Sequence, residues 1–299
     1  MNRSFLPALI LFGASAAGAA TAPPLDSLAG GPASQAGRRQ SIVTLNARTG
    51  ATFFEKSYGR GPWPGFDCGL EIKKQRWGLR SGFTAQRRNY GGGNLRALEY
   101  ELAPSLKLLS NASASVRLSV SPYRYFDTLY ASKACDFEIN AGFPAGIEGD
   151  AAARLRYYGR IFSPFYSAGA GKYLGRYLLS CRLFLAPFEH KNFVSALLGL
   201  RTYSRKTENG FHQIGTAFGR SPFDAGIVTV NGYLSFVEVH GISRIGISSR
   251  VWLMPTVSVA GEQLTRKGDF DDDGQTDVSR SPVRMRCSVL FGVQWERER

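Results

Sequence analysis

Two segments of this chain alternate apolar and polar residues without a break. In the first, Cys135, Phe137, Ile139, Ala141 and Phe143 are apolar, with Asp136, Glu138 and Asn140 polar between them. In the second, Tyr177, Leu179, Cys181, Leu183 and Leu185 share one parity, and Arg176, Ser180 and Arg182 take the other. Period two marks a β-strand with two chemically distinct faces. Each segment is about ten residues long and bounded by turn residues, the length at which a tilted strand crosses a bilayer. The pattern predicts an all-β chain, a transmembrane antiparallel up-and-down β-barrel. A soluble β-sandwich also alternates and is the rival architecture.

The start of the chain carries an address. Arg3 precedes an apolar run over 5–12, and Ala17-Gly18-Ala19 has the small-x-small form of a secretory cleavage site. The run is too short for a membrane helix. Residues 1–19 are therefore expected to be a cleaved signal peptide. Residues 20–40, rich in Pro, Gly, Ala and Ser, form a flexible lead, and 41–299 the barrel. About 280 residues remain after cleavage, ordinary for one barrel.

Alternation repeats along that stretch and predicts fourteen strands, with twelve as the alternative. The weakest are the seventh (151–159), the eighth (165–172) and the eleventh, marked by Ile214 and Phe218. Val228, Val230, Leu234 and Phe236 mark the twelfth, and Ile245, Ile247, Val251 and Leu253 the thirteenth. An even count puts both ends of the barrel wall on the periplasmic side. Connections there should be short, and Gln75-Arg76 and His240-Gly241 each read as two-residue turns. The opposite connections are longer, at 122–133 and 262–282. Trp77 and Trp295 fall where an interfacial aromatic girdle sits.

The net charge is +14. The arginines are spread at strand spacing rather than in runs, and the leader takes the chain away from nucleic acid. The charge is better suited to pairing in the lumen or to glycolipid phosphates. Cys68, Cys135, Cys181 and Cys287 share the apolar faces of their strands. They read as small lipid-facing residues, with two disulfides as the alternative in an oxidising compartment. Their spacing matches no metal motif.

On the polar faces, acids and bases alternate from strand to strand. Glu71, Arg80, Glu101, Arg117, Glu138 and Arg154 are predicted to form a charge ladder inside the first half of the wall. The Gln75-Arg76 turn sets the register: Glu71 opposite Arg80, Ile72 opposite Leu79, Cys68 opposite Phe83. The second half is expected to stay basic through Arg176, Arg182, Arg201, Arg284 and Arg286, favouring anionic solutes.

Little here suggests catalysis. His190 and His240 are placed in connections and His212 at the start of a weak strand, and no Ser sits in a nucleophile elbow. The chain is not expected to be an enzyme. An acyl hydrolase would need a His, a Ser and an acid on adjacent strands. Asp269, Asp271, Asp273 and Asp277 occupy positions 1, 3, 5 and 9 of a calcium-type loop, with Gly274 at position 6. Arg280 stands where such loops carry a bidentate Glu. The expectation is weak Ca²⁺ binding or a solvated acidic tip, and no required cofactor.

Short motifs in the central block carry a family resemblance. They are Phe143-Pro144-Ala145-Gly146-Ile147-Glu148, Arg154-Leu155-Arg156-Tyr157-Tyr158 and Gly171-Lys172-Tyr173-Leu174-Gly175-Arg176-Tyr177. Arg182-Leu183-Phe184-Leu185, Arg201-Thr202-Tyr203 and Gly219-Arg220-Ser221-Pro222-Phe223-Asp224 follow in order. From Leu45 to Asp224 the chain resembles the YaiO family of outer-membrane β-barrels, departing from its motif at Ile147, where an aromatic residue is usual. The resemblance implies a barrel in the bacterial outer membrane and a setting near surface polysaccharide. The expected function is a passive conduit or accessory protein, against a closed-lumen scaffold or a lipid-modifying enzyme. Expected partners are outer-membrane lipid and lipopolysaccharide, the barrel assembly machinery and surface polysaccharide.

Overall fold

The computed structural model describes residues 41–55, 61–90, 93–122, 133–158, 161–188, 191–204, 210–221, 223–224, 227–228, 232–268 and 277–298. The signal peptide and lead expected over 1–40 lie outside them. The chain meanders through β1 (Ile42–Phe54), β2 (Trp63–Lys73), β3 (Trp77–Tyr90), β4 (Gly93–Leu109), β5 (Ala112–Val120) and β6 (Lys133–Phe143). It continues through β7 (Ile147–Tyr158), β8 (Ile161–Leu174), β9 (Tyr177–Phe188), β10 (Lys191–Tyr203) and β11 (Phe211–Ser221). A small hairpin joins β12 (Phe223–Asp224) to β13 (Ile227–Val228). Then come β14 (Gly232–Gly246), β15 (Val251–Gly268), β16 (Asp277–Arg280) and β17 (Arg284–Glu298).

Each long strand pairs antiparallel with its neighbours, and β1 pairs with both β2 and β17. Fourteen long strands among the described residues thus close on themselves, while β16 pairs only with the end of β15. Closure removes every edge, so the ladder satisfies the backbone without water. This is fourteen rather than twelve: the weak seventh, eighth and eleventh segments all form full strands, longer than their alternation shows.

Ile42 lies opposite Glu298, so the wall begins and ends at one rim. That rim also carries the short turns. At the β2–β3 turn, Lys74 N donates to Trp77 O at 2.7 Å. Pro144–Gly146 links β6 to β7. Gly175, at φ +63°, allows the tight turn into β9.

Side-chain burial follows parity. Leu179, Leu183, Val194 and Ile214 are more than half exposed on the outer face, while Ser163, Phe165, Leu178 and Phe193 are buried on the inner one. An outer surface this apolar suits lipid rather than water. All four cysteines are free and face outward.

The expected strand boundaries are misplaced around β14, and the expected thirteenth strand, marked by Ile245, Ile247, Val251 and Leu253, straddles the reversal into β15. His240-Gly241 is no turn: both residues lie mid-way along β14, and the reversal comes at 247–250. The reason is that each face of β14 mixes apolar and polar residues, with Glu238, His240 and Arg244 inward and Ser235 and Ser243 outward. Leu234, Phe236 and Ile242 point inward and are buried, while Val237, Val239 and Ile245 point outward. Alternation is blurred there, and a His-Gly pair imitates a turn. The long connection placed at 262–282 is correspondingly shorter, since β15 runs on to Gly268.

Candidate functional site: the lumen wall

Alternate residues of the long strands line the lumen, and most of its charged groups are paired along the wall. Arg48 Nε donates to both carboxylate oxygens of Asp67, at 2.9 and 3.1 Å. Glu101 lies between Arg80, at 2.9 Å, and Arg117, at 3.9 Å. Arg154 approaches Asp136 at 4.0 Å and Arg182 meets Asp150 at 2.8 Å. Arg286 is held by two acids, Glu262 at 2.8 Å and Glu238 at 2.9 Å. Arg244 meets Glu296 at 2.6 Å and stacks over the Trp252 ring at 4.4 Å.

The six residues of the expected ladder are placed as follows. Glu71 lies opposite Arg80 in the register, with Ile72 opposite Leu79 and Cys68 opposite Phe83. Yet Glu71 pairs with Lys73 on its own strand, at 3.2 Å, while Arg80 turns to Glu101. Glu101 and Arg117 come together, whereas Arg154 takes Asp136 as its partner. Glu138 faces inward between Ser115 and Ala152 and takes no ion pair among the described residues. Adjacent charges of opposite sign have diagonal choices, and register alone does not select among them.

The second half of the wall is not purely basic. Glu238, Glu262 and Glu296 supply acids there. The misplaced turn at His240 hid the first, and the longer loop reading hid the second. Arg201 is held instead by Gln213, at 2.9 Å, and stacks over Phe211 at 4.4 Å. Arg176 sits in the exposed β8–β9 turn against Tyr177.

Small residues let these side chains lie flat. Asp150, Gly169 and Arg182 are successive register partners on β7, β8 and β9. A Cβ at Gly169 would stand 2.5 Å from Asp150 Oδ1. On the far wall Glu238, Ala260 and Arg286 repeat the arrangement across β14, β15 and β17. Glu101 lies over Gly82, and His240 over Gly215. Every ion pair among the described residues joins one strand, two neighbours, or strands one apart. None spans the lumen.

His212 faces outward, and its Nδ1 lies 2.9 Å from the Oγ of its cross-strand partner Ser243. Thr202, Ile214 and Ile245 flank the pair on that face, and among the described residues no acid is hydrogen-bonded to the imidazole. His190 lies outside the described residues. So do Asp269, Asp271 and Asp273 of the acidic loop, and Asp277 opens β16.

An apolar exterior, a closed antiparallel ladder and a lumen lined with paired charges define an outer-membrane β-barrel of channel-like fold. The chain belongs to the YaiO membrane beta barrel domain family, whose model matches residues 43–224, more than half of the chain. Among solved structures it is similar to the CymD monoaromatic hydrocarbon channel, at 8% identity over 87% of this chain and 89% of that one, with a TM-score of 0.53. It also matches the translocator domain of the autotransporter NalP from Neisseria meningitidis, at 12% identity over 95% of each chain, with a TM-score of 0.44. At such identities the first likeness shows the fold alone, and the barrel is consistent with an outer-membrane location. No curated protein sequence matches the chain.

Proposed function

We propose that this barrel is a passive polar conduit of the outer membrane, not an enzyme. One observation carries the reading: the lumen charges lie along the wall, seated over Gly82, Gly169 and Ala260, and none of the described pairs bars the passage. On the inward face of β3 to β5, Arg80, Glu101 and Arg117 keep part of their surface exposed to solvent. Water and small polar solutes would follow that side. Since the wall holds acids on both halves, selection for anions alone is not part of the proposal. Its setting would be near lipopolysaccharide and surface polysaccharide, after insertion by the barrel assembly machinery.

A second reading is a closed scaffold. The inward residues of β14 from Leu234 to Arg244 are all buried, so that side of the lumen is filled. Conductance in a planar bilayer separates the two. The conduit predicts discrete current steps from the folded barrel. A folded, inserted barrel that passes no current would overturn it in favour of the scaffold.

A further inference from the structure

The rim that bears both ends of the wall has a charge pattern unlike the lumen. Among the described residues its exposed charged side chains off the inner face are Lys74 and Arg76 in the β2–β3 turn, Lys172 on β8, Arg176 in the next turn and Arg250 beyond β14, with Arg297 on β17. All are cationic. Of the acids on the strand ends at this rim, Glu148 and Glu296 belong to the inner face, Glu296 is held by Arg244, and Glu298 closes the wall opposite Ile42. None of the exposed cations makes an ion pair among the described residues. Two of them rest on outward-facing rings at the bilayer boundary: Lys74 Nζ lies 5.1 Å from the Trp77 centroid, and the Arg176 guanidinium 5.2 Å from that of Tyr177.

We propose that this rim binds the headgroups of anionic phospholipids in the adjoining leaflet. The inference rests on the membrane-spanning fold but not on conduction. The cations are distributed around the ring, from β2 through β8 to β17, rather than gathered on one sector. A protein partner would seat on one sector, whereas an annulus of lipid meets all of them. Long Lys and Arg side chains at a strand end can reach the phosphate layer while their stems stay against apolar surface. Stacking on Trp77 and Tyr177 holds two of them at the depth where aromatic residues settle.

The test uses the full barrel refolded into vesicles of phosphatidylcholine with a minor share of phosphatidylglycerol. Lipid retained after mild detergent extraction is then weighed by native mass spectrometry. Phosphatidylglycerol should be enriched on the order of fivefold over its share, the factor that one cation near an anionic headgroup supplies. Changing Lys74, Arg76, Arg176 and Arg250 together to Gln should abolish the enrichment. Changing Arg87, Lys133 and Arg220, exposed cations toward the opposite rim, should leave it intact. Equal loss in both variants would show mere net charge and overturn the proposal, as would no enrichment in the parent protein. Heat-shifted gel mobility in every sample confirms that a barrel is present. Its absence throughout would count against the membrane fold instead.

Discussion

Arg182 reaches Asp150 at 2.8 Å across an intervening strand, directly above Gly169. The glycine faces both charges in the register and leaves no side chain between them. Gly169→Leu should therefore lift the pair off the wall and lower stability by about 1–3 kcal/mol, as overpacking does. Ala168→Leu, one residue away on the lipid face, should change little. Urea titration of the refolded barrel measures both, and equal effects would remove the special role of Gly169.

Arg286 sits between Glu238 and Glu262, with all three nearly excluded from solvent. Arg286→Met strands two buried carboxylates and should destabilise by about 3–5 kcal/mol. Adding Glu238→Gln and Glu262→Gln should restore most of that loss. A triple variant no more stable than the single would show that Arg286 acts through packing.

Leu183 lies mid-way along β9 on the outer face. Leu183→Arg should cost about 2–4 kcal/mol in lipid. Ser180→Arg, on the inner face of the same strand, should cost far less. Refolding yield in vesicles compares them. Equal yields would mean that the outer face does not meet lipid.

Ser243 and His212 share a hydrogen bond on the outer face, at 2.9 Å. Ser243→Ala should leave membrane lipid composition unchanged. A rise in intact phospholipid, or a fall in free fatty acid, relative to the parent would make this pair a catalytic dyad and end the non-enzymatic proposal.

Much of the wall was legible because parity is a local property. Cys135 to Phe143 and Tyr177 to Leu185 alternate strictly, and the structure turns those parities outward as read. The Gln75-Arg76 turn was equally local, and a two-residue loop admits one register, so Glu71 falls opposite Arg80. Local signal fails where both faces mix apolar and polar residues, as on β14, since parity then does not distinguish inside from outside along the chain.

The amino-acid sequence by itself determined the class of fold, the lipid-facing set and the near-neighbour registers, because each follows from period two and turn length. Only the tertiary structure decided which acid each arginine takes. Several inward charges have more than one partner of opposite sign on nearby strands, and a pair can cross a strand where the intervening residue is small, Gly169 in one case and Ala260 in another. Closure is likewise beyond local reading: β1 meets β17 through residues as distant as Ile42 and Glu298, and only the accumulated twist and stagger of the whole sheet bring them together.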